Sequence, residues 1–157
     1  MQRRRSEEDE TAVSEQGRAF ERVRESFAKQ GLMGLLGAEV SEVGEGWCVI
    51  EVPYSEELSQ RQRYFHGAVA GAIGDRAGGY AALTLAPEGR EVLTVEYKIN
   101  FLAPAWGRKM VARGEVLTAG RRLSVRKAEV VAVSGEGEET PCAALQQTVA
   151  TAPAEKK

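Results

Sequence analysis

A single histidine, His66, and an aspartate nine residues later, Asp75, frame the stretch of this 157-residue chain whose residue types could do chemistry. A carboxylate serves as general base or nucleophile, and an imidazole moves protons. The surroundings are unusual: eleven of the sixteen residues from Gly67 to Ala82 are Gly or Ala. Interior glycines at 71, 74, 78 and 79 each cost a helix about 1 kcal/mol relative to Ala. A strand fails the alternation test, however, whereas Val69, Ile73, Tyr80 and Thr84 fall along one helical face. The spacing therefore predicts a helix over 67–86, held by tertiary burial, whose small residues admit a close neighbour. Gly67 and Gly71, like Gly74 and Gly78, also match a membrane helix-packing spacing, but Asp75 and Arg76 interrupt a run too short to span a bilayer.

On such a helix the neighbours of Asp75 are Ala68, Gly71, Ala72, Gly78, Gly79 and Ala82. The carboxylate stands on a smooth strip suited to a cleft floor; a surface acid, or one paired with a strand arginine, is the plainer alternative. His66 and Gly67 stand at the helix start, where free N–H groups and the positive dipole end gather and an oxyanion could sit. A capping or packing role for the His66 ring is the alternative. At 1.5 Å per residue, the helix start and Asp75 are about 13 Å apart. One reacting carbon cannot touch both within a chain. If both act in one site, two chains contribute, related by a two-fold axis.

The elements that must position these residues follow from period and turn chemistry. Phe20, Val23 and Phe27 recur at helical spacing among charges, so 18–29 reads as a short amphipathic helix ended by Gly31. Residues 35–54 break at Gly44–Gly46 into a hairpin of two strands, and 55–66 read as a loop. After Pro87 the period becomes two: Leu93, Val95, Tyr97, Ile99 and Phe101 alternate with polar residues, predicting one core face. Strands over 109–118 and 122–133 join at Ala119-Gly120. In the second, the apolar phase moves from Leu123 and Val125 to Ala128, Val130 and Ala132, predicting a bulge near Arg126. A last strand spans 142–151. The expectation is an α+β domain over 18–151 in which the last four strands form a meander and one antiparallel sheet buries a long helix. A charged tail is expected over 1–17 and a short one over 152–157.

Composition narrows the classes. With 43% hydrophobic and 28% charged residues the chain reads as one globular domain. A net charge of -2 gives no basic footprint for nucleic acid. Cys48 and Cys142 lie in apolar segments, as reduced core thiols of a cytoplasmic protein would. The lone histidine and distant cysteines offer no zinc spacing, so no metal is expected. Met1–Glu10 lacks the apolar region of a secretory signal, and its acids argue against a transit peptide or a membrane anchor.

His66-Gly67-Ala68, followed at a fixed interval by Ile73-Gly74-Asp75-Arg76-Ala77, resembles the HGG and LADxA patterns of hotdog-fold acyl-CoA thioesterases of the phenylacetate-pathway (PaaI) type. The resemblance covers residues 31–151, and Thr94–Ala105 resembles the family's stretch that crosses behind the helix. It implies a hotdog fold, a six-stranded antiparallel sheet wrapped round the long helix, with dimers sharing sites and pairing into tetramers. It implies that the Gly67 N–H polarises the thioester carbonyl while Asp75 activates water or attacks directly. The family's amide six positions before the histidine falls at Gln60, and the hydroxyl that holds water in some members falls at Thr94. Two positions depart: Ala68 replaces the second glycine of HGG, and Gly79 stands where related enzymes carry Thr.

The expected reaction is hydrolysis of an aryl- or medium-chain acyl-CoA, with no cofactor beyond the CoA of the substrate. Ala68 and Gly79 line the substrate's path. Arg90, Arg108, Arg121 and Arg122, near strand ends, are candidates for the CoA phosphates. A hotdog hydratase or dehydratase and a non-catalytic acyl-CoA sensor are the alternatives. The short N-terminal segment leaves the sensor no DNA-binding output module.

Overall fold

The computed structural model describes residues 16–155. Most of the expected N-terminal tail, residues 1–15, lies outside them, as do 156 and 157. A first helix, α1, covers described residues 16–28, followed by a single short turn of helix, α2 (Gly31–Leu36), that periodicity missed. Then come β1 (Glu39–Gly44), β2 (Trp47–Pro53), a 3₁₀ turn (Glu56–Leu58) and the long helix α3 (Gly67–Leu83). The strands β3 (Arg90–Phe101), β4 (Lys109–Ala119), β5 (Leu123–Val133) and β6 (Glu139–Pro153) complete the chain. All pairings are antiparallel, in the order β1-β2-β4-β5-β6-β3.

The small residues of α3 each answer to a neighbour. A Cβ at Gly67 would lie 2.8 Å from the Phe101 ring, at Gly71 3.0 Å from Tyr97 Oη, and at Gly74 2.8 Å from Leu145 Cδ1. At Gly78 it would meet Gln147 Oε1 at 1.7 Å. These four glycines recur at spacings of four, three and four residues, one helical face, and β3 and β6 lie against it. From β4, Gly114 comes so near that its own Cβ would strike the backbone of Ala77 and Gly78, the nearest atom 2.2 Å away. The strip expected as an open floor is therefore largely a packing seam.

Burial elsewhere offsets the poor helix propensity. Val69, Ile73, Ala77, Tyr80 and Leu83 sit in one core with Cys48, Ile50 and Val52 of β2 and with Met110 and Ala112 of β4. α1 closes the far end: Val23 is buried, Phe27 packs on Tyr80 at 6.0 Å between centroids, and Arg22 donates to the carbonyl of Leu83, the last residue of α3, and to those of Ala86 and Pro87 beyond it. Burial lowers the pKa of that guanidinium.

Three local expectations are corrected. The last four strands are not a simple meander: β4-β5-β6 is one, but β3 lies beyond β6, because residues 102–108 carry the chain back past the sheet's end. Alternation reports which face a residue takes, not which strand is its neighbour. Secondly, the apolar alternation in β3 is not one face. A bulge at Val95 breaks the register between Thr94 and Glu96, so Thr94, Tyr97 and Ile99 share the helix side with Val149, Gln147 and Leu145 of β6. Leu93 and Val95, each 59% exposed, do not reach the core. Thirdly, β5 runs unbroken past Arg126; the irregularity lies opposite, between Val116 and Thr118 of β4. The phase shift in β5 arises because Arg126 itself occupies a core position.

Because Gly114 faces backbone rather than a movable side chain, Gly114→Ala should cost about 3 kcal/mol or more, at the upper end of overpacking penalties. For a chain of this size that lowers Tm by about 6–12 °C. Gly135→Ala, whose Cβ would meet nothing, should stay within about 0.5 kcal/mol of the parent. Thermal unfolding followed by circular dichroism measures both; equal effects would contradict the close approach.

Candidate active site

Asp75 sits midway along α3, its side chain 18% exposed, with both carboxylate oxygens engaged. Oδ1 accepts from Thr94 Oγ1 at 2.6 Å and from Gln147 Nε2 at 2.9 Å. Oδ2 accepts from the neighbouring Arg76, whose Nη2 lies at 2.7 Å and Nε at 3.2 Å. A carboxylate offers about four lone-pair directions. Each oxygen spends two of them, Oδ1 on a hydroxyl and an amide of the sheet and Oδ2 on two N–H groups of the partly exposed Arg76. Only the bulge at Val95 turns the Thr94 hydroxyl inward, and only a glycine at 78 leaves room for the Gln147 amide.

A second cluster gathers at the start of α3. His66 is the N-cap, and its Nδ1 accepts the Ala68 N–H at 3.0 Å. The neutral ring therefore carries its proton on Nε2. Ala68 N–H is thereby occupied, whereas the Gly67 N–H has no partner among the described residues. Gln60, His66 and Gly67 line one cleft of about 620 Å³ with Tyr64, Phe101 and Ala105. The loop that carries Gln60 is pinned by its own backbone, Gln60 N–H to Tyr64 C=O at 2.9 Å and Phe65 N–H to Ala105 C=O at 2.9 Å.

Sequence reasoning thus named residues that fall into two groups. Gln60, His66, Gly67 and Ala68 lie together at the helix start; Asp75 and Thr94 meet farther along it, and neither lines that cleft. Gly79 is buried, with the Arg76 guanidinium beside it. The four expected phosphate-binding arginines are exposed and divided: Arg90, Arg121 and Arg122 lie where β3 and β5 begin, whereas Arg108 donates to Ser134 C=O at the opposite end of the sheet.

Gln147, Arg76 and Arg126 were missed. Gln147 and Arg126 each interrupt an apolar alternation, with Leu145 and Val149 flanking the first and Ala128 and Val130 following the second. A lone polar residue in a core phase was the available signal. Arg126 has no exposed surface, and burial pulls its pKa down to about 10, with Asp75 opposing the shift.

Comparison with known proteins places the chain in a family and a fold. Residues 62–139 match the Thioesterase superfamily. A thioesterase family protein from Silicibacter pomeroyi superposes with a TM-score of 0.84 at 37% identity, covering 87% of this chain and 99% of that one. A protein from Saccharolobus solfataricus named provisionally as an esterase is 32% identical over 73% of this chain and 81% of its own. The Escherichia coli PaaI protein of the phenylacetic acid degradation operon shares the fold, with a TM-score of 0.76 at 17% identity over 87% of this chain and 95% of that one. The chain belongs to the thioesterase superfamily and has the hotdog fold, and the chemistry of that superfamily is thioester hydrolysis. No helix among the described residues is long and apolar enough to cross a membrane.

Thiol chemistry is poorly placed to compete. Cys48 and Cys142 are buried and unpaired, and burial pushes their thiols up to about 12 and about 11. At about pH 8, where an ordinary thiol is partly ionised, both stay protonated. Iodoacetamide should therefore leave the native protein unlabelled and modify both cysteines after unfolding in guanidinium, as mass spectrometry would show. Rapid native labelling of either would contradict their burial.

Proposed function

We propose that this protein hydrolyses an acyl-CoA thioester, aryl or medium-chain, to the free acid and CoA, in sites built from two copies of the chain. The observation that carries the reading is the hold on Asp75: Thr94 and Gln147 fix Oδ1 from the sheet, while Oδ2 is met by the partly exposed guanidinium of Arg76 and becomes the oxygen for chemistry once that side chain moves aside. Oδ2 takes the proton of an attacking water, or itself attacks the thioester carbon to give an acyl-enzyme that water then opens. In either course the C–S bond breaks, the thiolate leaves as CoA and is protonated, and the acyl group gains one oxygen from water. Thr94 donates its O–H hydrogen bond to Asp75 Oδ1, so its oxygen can accept from that water. The carbonyl oxygen, gaining negative charge, needs donors, and the free Gly67 N–H at the helix start suits it. Gln60, on the same cleft, supplies an amide to the same region.

The half of a helix that separates these groups, about 13 Å at 1.5 Å per residue, motivates the second chain. So does β3, which forms an edge of the sheet and exposes Leu93, Val95, Tyr97 and Phe101. An uncovered apolar edge strand is an invitation to pair. Edge-to-edge pairing about a two-fold would bring the helix start of one protomer towards Asp75 of the other, and two such dimers would make the tetramer. In this reading the catalytic unit is residues 18–151, the setting is cytoplasmic, no cofactor is used beyond the CoA of the substrate, and the four exposed arginines remain the candidates for its phosphates.

Thiol release from a panel of aryl- and alkyl-CoA esters tests the reaction and separates it from hydration, dehydration and binding without turnover. With the preferred ester, Asp75→Asn should remove nearly all turnover while the circular dichroism spectrum and oligomer are kept; activity above a few per cent of the parent would exclude Asp75 as the catalytic acid. Thr94→Ala should cost roughly ten- to a hundredfold in kcat, as expected of a group that positions rather than bonds.

Sharing is tested by complementation. Gln60→Ala and Asp75→Ala homodimers each lack complete sites, but a mixed dimer has one site with both defects and one with neither. Co-refolding equal amounts should make about half the dimers mixed and leave about a quarter of all sites intact. Activity should rise well above either parent. Recovery no greater than their average, with exchange confirmed by mass spectrometry, would return each group to a site within one chain.

A further inference from the structure

Freeing Asp75 Oδ2 leaves a cation without its anion. Both hydrogen bonds to that oxygen come from Arg76, Nη2 at 2.7 Å and Nε at 3.2 Å, and Asp75 is the one acid that pairs with Arg76 among the described residues. The helix does not impose this pair. Adjacent residues point about 100° apart on a helix, and the ion pairs that a helix itself favours are spaced three or four residues apart. Arg76 therefore bends back to reach its neighbour. Little clamps it there: its side chain is 25% exposed, and even a Cβ at Gly79 would lie 4.0 Å from its Cζ and Nη2, an ordinary contact. The guanidinium also ends the accessible face of α3. Ala68, Ala72, Asp75 and Arg76 reach the surface, whereas every residue from Ala77 to Leu83 is buried. An acyl group whose thioester sits on Asp75 has Arg76 beside it, at the closed end of that face.

Two kinds of anion can come with an acyl-CoA. The phosphates of CoA lie a full pantetheine arm from the sulfur, whereas Arg76, next in the chain to Asp75, works within one side chain's length of the thioester carbon. An anion inside that reach belongs to the acyl group. Resting on the thioesterase reading, we infer that Arg76 is a specificity-determining residue and that, within the aryl or medium-chain class, the preferred substrates carry a carboxylate on the acyl group: CoA monothioesters of dicarboxylic acids. A planar guanidinium fits a carboxylate through paired N–H donors. With such a substrate Arg76 exchanges one carboxylate for another, and Oδ2 is released as the acyl group seats. A hydrocarbon acyl group offers no exchange. It covers the exposed side of the guanidinium and either leaves it on Oδ2 or strands a desolvated cation, and both slow turnover. The bond that breaks and the course of hydrolysis are unchanged.

The test compares acyl groups of equal length that differ in a terminal carboxylate, adipyl-CoA with hexanoyl-CoA and suberyl-CoA with octanoyl-CoA, by thiol release from the full chain. In at least one pair the parent should show a kcat/KM about tenfold or more higher for the carboxylated ester, as expected of a charge-assisted pair. Arg76→Met should move the two members in opposite directions: the carboxylated ester loses about tenfold or more in kcat/KM, while the hydrocarbon ester is cleaved at least as fast as by the parent, because Oδ2 is no longer shared. A merely structural role would lower both together. Arg76→Lys, a cation without the fork, should keep part of the preference. If circular dichroism shows that Arg76→Met does not fold, Arg76→Gln is held to the same criteria. Equal cleavage within both pairs, or a preference that survives loss of the cation, would overturn the inference and leave the thioesterase reading standing. Should no ester be cleaved, binding decides: calorimetry on Asp75→Asn, whose Arg76 has lost its anionic partner, should find adipyl-CoA or suberyl-CoA held about tenfold or more tightly than its hydrocarbon counterpart, and the difference should vanish in Asp75→Asn/Arg76→Met. That result would support the role of Arg76 although the hydrolytic reading had failed; equal affinities within both pairs would refute it.

Discussion

Everything in this fold depends on how closely the sheet approaches the backbone of α3. Gly114 on β4 touches the Ala77–Gly78 backbone, and Gly67, Gly71, Gly74 and Gly78 admit Phe101, Tyr97, Leu145 and Gln147. An ordinary amphipathic helix keeps the elements it packs against at the distance its side chains set. Here the distance is set by backbone, and two consequences follow. The helix gains the burial that its glycines deny it through propensity. Side chains from β3 and β6 are also brought within hydrogen-bonding distance of a residue in the middle of the helix, so that Asp75 is held by Thr94 and Gln147 without leaving its own helical geometry.

That hold divides the carboxylate into two unequal oxygens. Oδ1 is fixed from the sheet, and Oδ2 looks outward past Arg76. A carboxylate with one oxygen fixed from the sheet and the other held by a partly exposed side chain is preorganised, since its orientation costs nothing more when substrate arrives. Charge is arranged on both sides of it, with one guanidinium towards solvent and one in the core. The helix start is organised differently: His66 uses its ring to satisfy Ala68 N–H, and the Gly67 N–H is left over. One region thus offers an acceptor and the other a donor, which are the two things an acyl-transfer reaction needs on opposite sides of the carbon.

The elements were legible in the sequence wherever a period persisted. α3 was found despite its glycines because the larger residues kept helical spacing, and β3 was found because its alternation is long. What could not be read was the bulge at Val95, since a one-residue irregularity leaves composition unchanged while turning Thr94 inward. Thr94 was proposed from family resemblance, against the strand's apparent phase. Gln147 and Arg126 were hidden for a related reason: a polar residue in a core phase reads as a break in the pattern until its surroundings are visible, and Asp75, which Gln147 bonds and whose charge acts on Arg126, lies more than fifty residues from either. Strand order was illegible as well, because β3 pairs with β6 and nothing local distinguishes that from pairing with β4.

The central claim is that the donor at Gly67 and the acid at Asp75 meet across two chains. A crystal structure of the Asp75→Asn protein with an uncleaved acyl-CoA tests it most directly. The account predicts the thioester oxygen on the Gly67 N–H of one protomer, with position 75 of the partner subunit and its supporting Thr94 and Gln147 facing the thioester carbon. A thioester whose carbonyl and attacking face are both served by one protomer, or one seated away from both groups, would contradict it.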